Sequence, residues 1–207
     1  MLEFAFNAFV ALLVVIDPPG IASVFAALTR NYSEKRQRAT ATRATVVGAA
    51  ILLIFALAGN GLLAALGIGL PAFRIAGGIL LFLVALDQVF AGPSGLYSRT
   101  VREQEEASYT RDVSVFPLAI PLLAGPGAIT TVLLYTGGSG PAKLAVFVVV
   151  LLIVLLLTLT SLLLALRVMQ LLGEIGAHVL TRVLGVLLAA LAVQFVLDGI
   201  QASFLPG

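Results

Sequence analysis

Apolar residues run in long blocks along this chain, interrupted by short polar or charged stretches. A helix needs about 20 mostly apolar residues to cross the hydrocarbon core of a bilayer. Six blocks reach that length: residues 4–29, 44–66, 72–91, a stretch within 113–141, 144–166 and 179–204. Charge is rare inside them. Asp17 stands at the middle of the first, Arg74 and Asp87 flank the third, and Arg182 and Asp198 flank the sixth. Strands of a membrane barrel would alternate apolar and polar positions over about 10 residues, and these blocks do not alternate. The pattern predicts an all-α polytopic membrane protein with six transmembrane helices.

Composition sharpens the class. Of the 207 residues, 60% are hydrophobic and 11% charged, against about 45–50% and about 25% in soluble domains. A globule of this length has too little interior for so many apolar side chains. A soluble enzyme, a disordered chain and a nucleic-acid module are excluded on that ground. Cysteine is absent, which removes a disulfide frame and a thiolate metal site. The first 16 residues open on Glu3 and continue apolar past Asp17, which does not read as a cleaved leader.

Charge gives the expected topology. Of the 22 Asp, Glu, Lys and Arg residues, 13 fall in windows 30–43 and 99–112. Lys and Arg favour the cytoplasmic side. A turn holding Arg30, Lys35, Arg36, Arg38 and Arg43, a charged linker over 99–112, and Arg167 are therefore expected in the cytoplasm. Both termini are expected outside.

The chain also divides internally: a three-helix repeat over 1–98, the linker over 99–112, and a second three-helix repeat over 113–207. Pro19-Gly20 matches Pro126-Gly127, Ser23 matches Thr130, and Thr29 matches Thr136 at the same offset. Further on, Arg74-Ile75-Ala76-Gly77 resembles Arg182-Val183-Leu184-Gly185. Three spans per half force the second copy to enter from the opposite side. This is the inverted repeat of many secondary transporters, whose sites lie near the midplane at broken helices.

Breaks are expected in the first and fourth helices. Pro18-Pro19-Gly20 lies midway through the first apolar block, and Gly125-Pro126-Gly127 lies in the fourth, after Pro117 and Pro121. Proline removes a backbone donor and clashes with the preceding turn. The backbone groups so freed are tolerated at membrane depth only when buried in protein or lining a polar cavity. A half-helix starting at Gly20 or Gly127 offers N–H groups and a positive dipole end to a carboxylate. The half-helices ending before each break offer carbonyls to an ammonium. A zwitterion needs both. Ser23, Thr130 and Thr131, in the first turn after each break, are candidate hydroxyl contacts. Asp17 has two readings, a cap for the following half-helix or a functional intramembrane carboxylate that carries a coupling proton.

Other polar residues carry less. Asn60, Thr158, Thr160 and Ser161 are expected to join helices, and Gln194 to reach toward the cavity. Glu174 and His178, at i, i+4 spacing near a span end, read as surface instead of metal ligands. Gly77-Gly78 and Gly185 permit close helix approach. No metal and no cofactor are expected.

Three motifs bring a family into view. Gly67-Ile68-Gly69-Leu70-Pro71-Ala72-Phe73-Arg74-Ile75-Ala76-Gly77-Gly78 resembles a signature of the MarC family of bacterial and archaeal inner-membrane proteins. Phe116-Pro117-Leu118-Ala119-Ile120-Pro121, followed by Ala124-Gly125-Pro126-Gly127-Ala128-Ile129, resembles a second. Arg182-Val183-Leu184-Gly185, with Val193-Gln194-Phe195 and Gly199-Ile200, is similar to the family's last span. The resemblance implies six spans in two inverted triplets with discontinuous first and fourth helices. It also implies transport of small neutral amino acids, typified by glycine and alanine in the members called SnatA. The family usually has Asn where this chain has Asp17.

The expected function is thus secondary transport of a small neutral amino acid, bound between Asp17, Pro18, Pro19, Gly20 and Ser23 on one side and Gly125, Pro126, Gly127, Thr130 and Thr131 on the other. The expected partners are the amino acid, the bilayer, and a proton or sodium ion for coupling; nucleic acid is not one. An intramembrane enzyme would need a dyad, a paired carboxylate or a zinc motif that the chain does not spell. A channel or scaffold without amino acid transport is the alternative.

Overall fold

The computed structural model describes residues 1–90 and 112–204. Among them every regular element is a helix. Helix α1 (Leu2–Ile16) continues through one residue into α2 (Pro18–Leu28), followed by α3 (Glu34–Ala65) and α4 (Leu70–Phe90). After the undescribed stretch come α5 (Ser114–Leu123), α6 (Pro126–Thr136), α7 (Pro141–Leu163) and α8 (Ala165–Phe204). Five segments are long and apolar enough to cross a bilayer, and α5 with α6, bent by 50°, makes six. Large apolar side chains such as Ile54, Leu57, Leu156 and Val186 are exposed, as a lipid-facing surface requires.

One expectation is corrected at the basic window. Arg30 lies in a short turn, but helix begins again at Glu34, so Lys35, Arg36, Arg38 and Arg43 are helical. Ser33 caps that start, its hydroxyl accepting from the Arg36 N–H at 3.4 Å. The charged residues extend α3 beyond its apolar block because the water outside a bilayer tolerates a charged helix as well as a charged loop. Of the expected linker over 99–112, residues 99–111 lie outside the described residues. Asp112 pairs with Arg43 on α3 and accepts from the Ser114 hydroxyl at 2.5 Å and the Ser114 N–H at 3.1 Å. The Ser114 hydroxyl first, then the Ser114 N–H and Arg43, hold the Asp112 carboxyl below the usual carboxylate range.

The packing is crosswise. Helix α2 packs on α7 and α8, and α6 packs on α3 and α4. Helices α4 and α8 form the most extensive pairing, running antiparallel along small residues. A Cβ added at Gly78 would lie 2.7 Å from the Ala192 carbonyl oxygen, and one at Gly185 would lie 3.2 Å from that of Ala85. Backbones this close gain dispersion contacts that larger residues would prevent. The core sits where the half-helices meet these four spans, around Leu12, Ile16, Ala22, Phe25, Leu81 and Leu188.

Candidate functional site

The first break is one residue wide. Asp17 has φ 49° and ψ 66°, the left-handed region that Asp and Asn visit at least cost among residues with a side chain. Its N–H closes α1 on the Leu13 carbonyl at 3.0 Å. Its carboxylate opens α2: Oδ1 accepts from the Gly20 N–H at 3.2 Å. Oδ2 accepts from the Thr181 hydroxyl of α8 at 2.8 Å. The residue is 6% exposed. A Cβ at Gly20 would collide with this carboxylate, so glycine is what lets the cap fold back over the helix end. Ser161 of α7 donates to the Pro18 carbonyl at 3.1 Å, tying α2 to a second span.

The second break is built differently. Pro117 and Pro121 exclude helical geometry from the residue before each. Phe116 (φ −131°, ψ 119°) and Ile120 (φ −130°, ψ 124°) are extended, and α5 is wound wide around them. The chain then bends and α6 starts at Pro126, with Gly125 before it and no side chain capping its first turn. Nor is there room for a cap: a Cβ at Gly125 would collide with the Pro121 carbonyl oxygen. Pro126 brings no N–H to the helix start, and Ile129 closes the first turn on the Gly125 carbonyl at 3.0 Å. A cavity of about 270 Å³ opens here, lined by Gly125, Pro126, Gly127 and Ala128 together with Val15 of α1 and Asp87 of α4.

The hydroxyls chosen from sequence sit beside the breaks. Ser23 donates to the Gly20 carbonyl at 2.7 Å and Thr131 to the Gly127 carbonyl at 2.9 Å. Each is a bond within its own half-helix that leaves an oxygen lone pair for a further donor. The Thr130 methyl abuts Gly77 of α4. Asn60 donates to the Thr136 carbonyl at 2.9 Å, holding the far end of α6 to α3. Among the described residues no group of three or more His, Asp or Glu could hold a metal ion.

Comparison with known proteins gives this architecture its place. Residues 2–204 match the family described as MarC family integral membrane protein. The chain belongs to the MarC family. A UPF0056 membrane protein of Methanocaldococcus jannaschii is 38% identical over 207 residues, covering 99% of each chain. One of Archaeoglobus fulgidus is 37% identical, over 96% of this chain and 93% of its own. One of Escherichia coli is 32% identical, over 98% and 94%. No solved structure matches the chain. It is an integral, multi-pass membrane protein.

Two residues of this MarC chain at its breaks escaped the sequence reading. Thr181 holds Asp17 from 164 positions away, and nothing local marks it. Asp87 lies near the end of an apolar block, where the sequence gives no sign that it lines the second-break cavity. Gln194, expected to reach a cavity, lines a separate cleft of about 510 Å³ and donates to Asp198 at 2.7 Å.

Proposed function

We propose that this MarC family chain is a secondary transporter of small neutral amino acids, of the SnatA type, and that the zwitterion binds at the second break. The observation that carries the reading is the uncapped start of α6 opening on a cavity of about 270 Å³ with Asp87 in its wall. That volume is under the roughly 300–1,000 Å³ of sites for drug-sized ligands, which favours a very small solute. The N–H groups of Gly127 and Ala128 receive the carboxylate, as helix starts do, and Asp87 faces the ammonium. At the first break the chain makes the same contact with its own carboxylate: Asp17 does for α2 what the substrate does for α6. Asp17 is accordingly a cap in this reading, and the coupling ion, proton or sodium, acts elsewhere. The protein carries out no chemical step and uses no cofactor.

The crosswise packing supports an inverted repeat. Gly20 and Gly127 are 107 positions apart, and this offset relates the observed contacts pair by pair. It sets Gly78 over Gly185 and Ala85 over Ala192, so the approach of Gly78 to the Ala192 carbonyl becomes that of Gly185 to the Ala85 carbonyl. Leu81 and Leu188, both fully buried, fall together as well. In this reading the third spans align with Gly78 opposite Gly185, where the sequence match had set Gly77, and with Arg74 opposite Thr181. Arg38 and Arg167 line one cavity beyond the end of α2, which supports a single basic end. We assign that end to the cytoplasm, both termini to the outside, and the protein to the inner membrane.

Flux of radiolabelled glycine and alanine into proteoliposomes, with imposed proton or sodium gradients, tests the reading. Saturable uptake that discriminates L- from D-alanine is expected, with Gly127→Leu inserting normally but abolishing it. A Cβ at Gly127 already meets Val15 at 3.3 Å and Leu81 at 3.4 Å, so a leucine fills the cavity. Unitary currents without saturable uptake would replace the transporter by a channel.

A further inference from the structure

The repeat offset also relates two cavities that played no part in deriving it. The second-break cavity has Leu80, Leu83, Val84 and Asp87 of α4 along one wall. Moved by 107 positions these become Leu187, Ala190, Leu191 and Gln194, and all four line the cleft of about 510 Å³ between α8 and α1. On the opposite walls one pair corresponds, Pro121 in the first and its mate Val14 in the second, while Gly125 to Ala128 line the first and their mates Pro18 to Ile21 do not line the second. The cavities lie toward opposite ends of the antiparallel α4–α8 pair. Asp87 is near the C-terminal end of α4. Gln194 and Asp198 are near the C-terminal end of α8, beside Asn7 and Tyr135.

The last turn of α1 borders both. Val14 lines the larger cleft and Val15 the smaller, so adjacent side chains of one helix face the two spaces. This turn ends at Asp17, whose bond to Thr181 ties it to α8, a wall of the larger cleft. The cleft beside α8 has about 510 Å³ and the one beside α4 about 270 Å³.

We propose that the α1–α8 cleft and the α4–α5 cleft are the two mouths of one path, that Gln194 and Asp87 are its matched polar wall residues, and that Val14 and Val15 form the septum between them. The solute class rests on the transporter reading above; the path itself does not. In this structure the larger mouth faces away from the basic end, and the binding cavity lies behind the septum. Transport then exchanges the conformations of the two halves, enlarging the cleft beside Asp87 as the one beside Gln194 closes.

The chain has no cysteine, so single substitutions give unique thiols. Leu83→Cys and its mate Ala190→Cys are labelled with a membrane-impermeant maleimide from each face of oriented vesicles. Leu156→Cys, on an exposed position of α7, is the lipid-facing control. A thiol reacts as thiolate and needs water to form it, so each path position should label at least about tenfold faster than the control. Leu83→Cys should label from the basic face and Ala190→Cys from the other. Saturating glycine should change the two rates in opposite directions. Leu80→Cys and Leu187→Cys repeat the test should either first variant fail to insert. The proposal is overturned if both mates stay as unreactive as the control, which would make the clefts lipid-filled grooves, or if both label from one face. Labelling from opposite faces that neither glycine nor alanine alters keeps the path and removes the amino acid as its solute.

Discussion

The two breaks pose the same problem to the chain and answer it in opposite ways. Each begins an 11-residue half-helix with proline in its first turn. A helix start inside a membrane has free N–H groups and no water to satisfy them. At Asp17 the acceptor is built in, its carboxyl held between the Gly20 N–H and the Thr181 hydroxyl, and the site is shut. At Gly125 the Pro121 carbonyl occupies the space a capping side chain would need, and the helix start faces a cavity. The first start is covered by a side chain of its own chain, and the second is covered by none.

The most damaging way to test this contrast is Gly125→Ala. The added Cβ meets backbone, which cannot swing aside, so a loss of about 3 kcal/mol is expected. Thermal unfolding in detergent should read it as a drop of roughly 6–12 °C. At the closed break, Asp17→Ala removes a cap and leaves Thr181 unpaired, costing about 2–3 kcal/mol. Asp17→Asn should stay within about 0.5 kcal/mol of the parent, because its amide still accepts from Gly20 and can donate to Thr181. An Asn variant as unstable as the Ala variant, or one that loses glycine accumulation under a proton gradient, would show that the charge itself is needed.

A smaller crossed effect separates joint from site. Thr181→Val should cost about 1–2 kcal/mol and leave the KM for glycine unchanged. Asp87→Asn should raise that KM while moving the unfolding temperature little. The reverse pattern would exchange the roles of the two breaks. The smallest effect is expected at Asp112, at the mouth of α5. Its carboxyl is depressed by Ser114 and Arg43, so its contribution to stability is present above the unfolded value near 3.9 and is lost as the pH falls through the lower folded value. The difference in unfolding temperature between the parent and Asp112→Asn should be constant from about pH 7 to 5 and shrink below about pH 4.

Much of the frame was readable residue by residue. Apolar blocks longer than a bilayer's thickness marked the spans. Prolines inside two of them marked the breaks, because no neighbouring sequence restores a missing N–H. The start of α3 was misread because its charges suggested a loop, although Ser33 before Glu34 is a helix-start signal in itself. The match at the third spans was set by Arg74 and Arg182, two charges at helix ends. The offset of 107 that relates Gly20 to Gly127 sets Gly78 instead of Gly77 opposite Gly185.

Sequence alone determined that this chain lies in a membrane, that it crosses as helices, and where two helices cannot continue. Those are consequences of hydropathy and of proline's missing donor, which act within a few residues. Only the tertiary structure decided which break is closed and which is open. That choice rests on a threonine 164 positions from Asp17, on a carbonyl pressed against Gly125, and on a carboxylate brought to the cavity by another helix. Contacts across the bundle leave no local pattern in the chain, because they depend on how the spans are set against one another and not on what any one span contains.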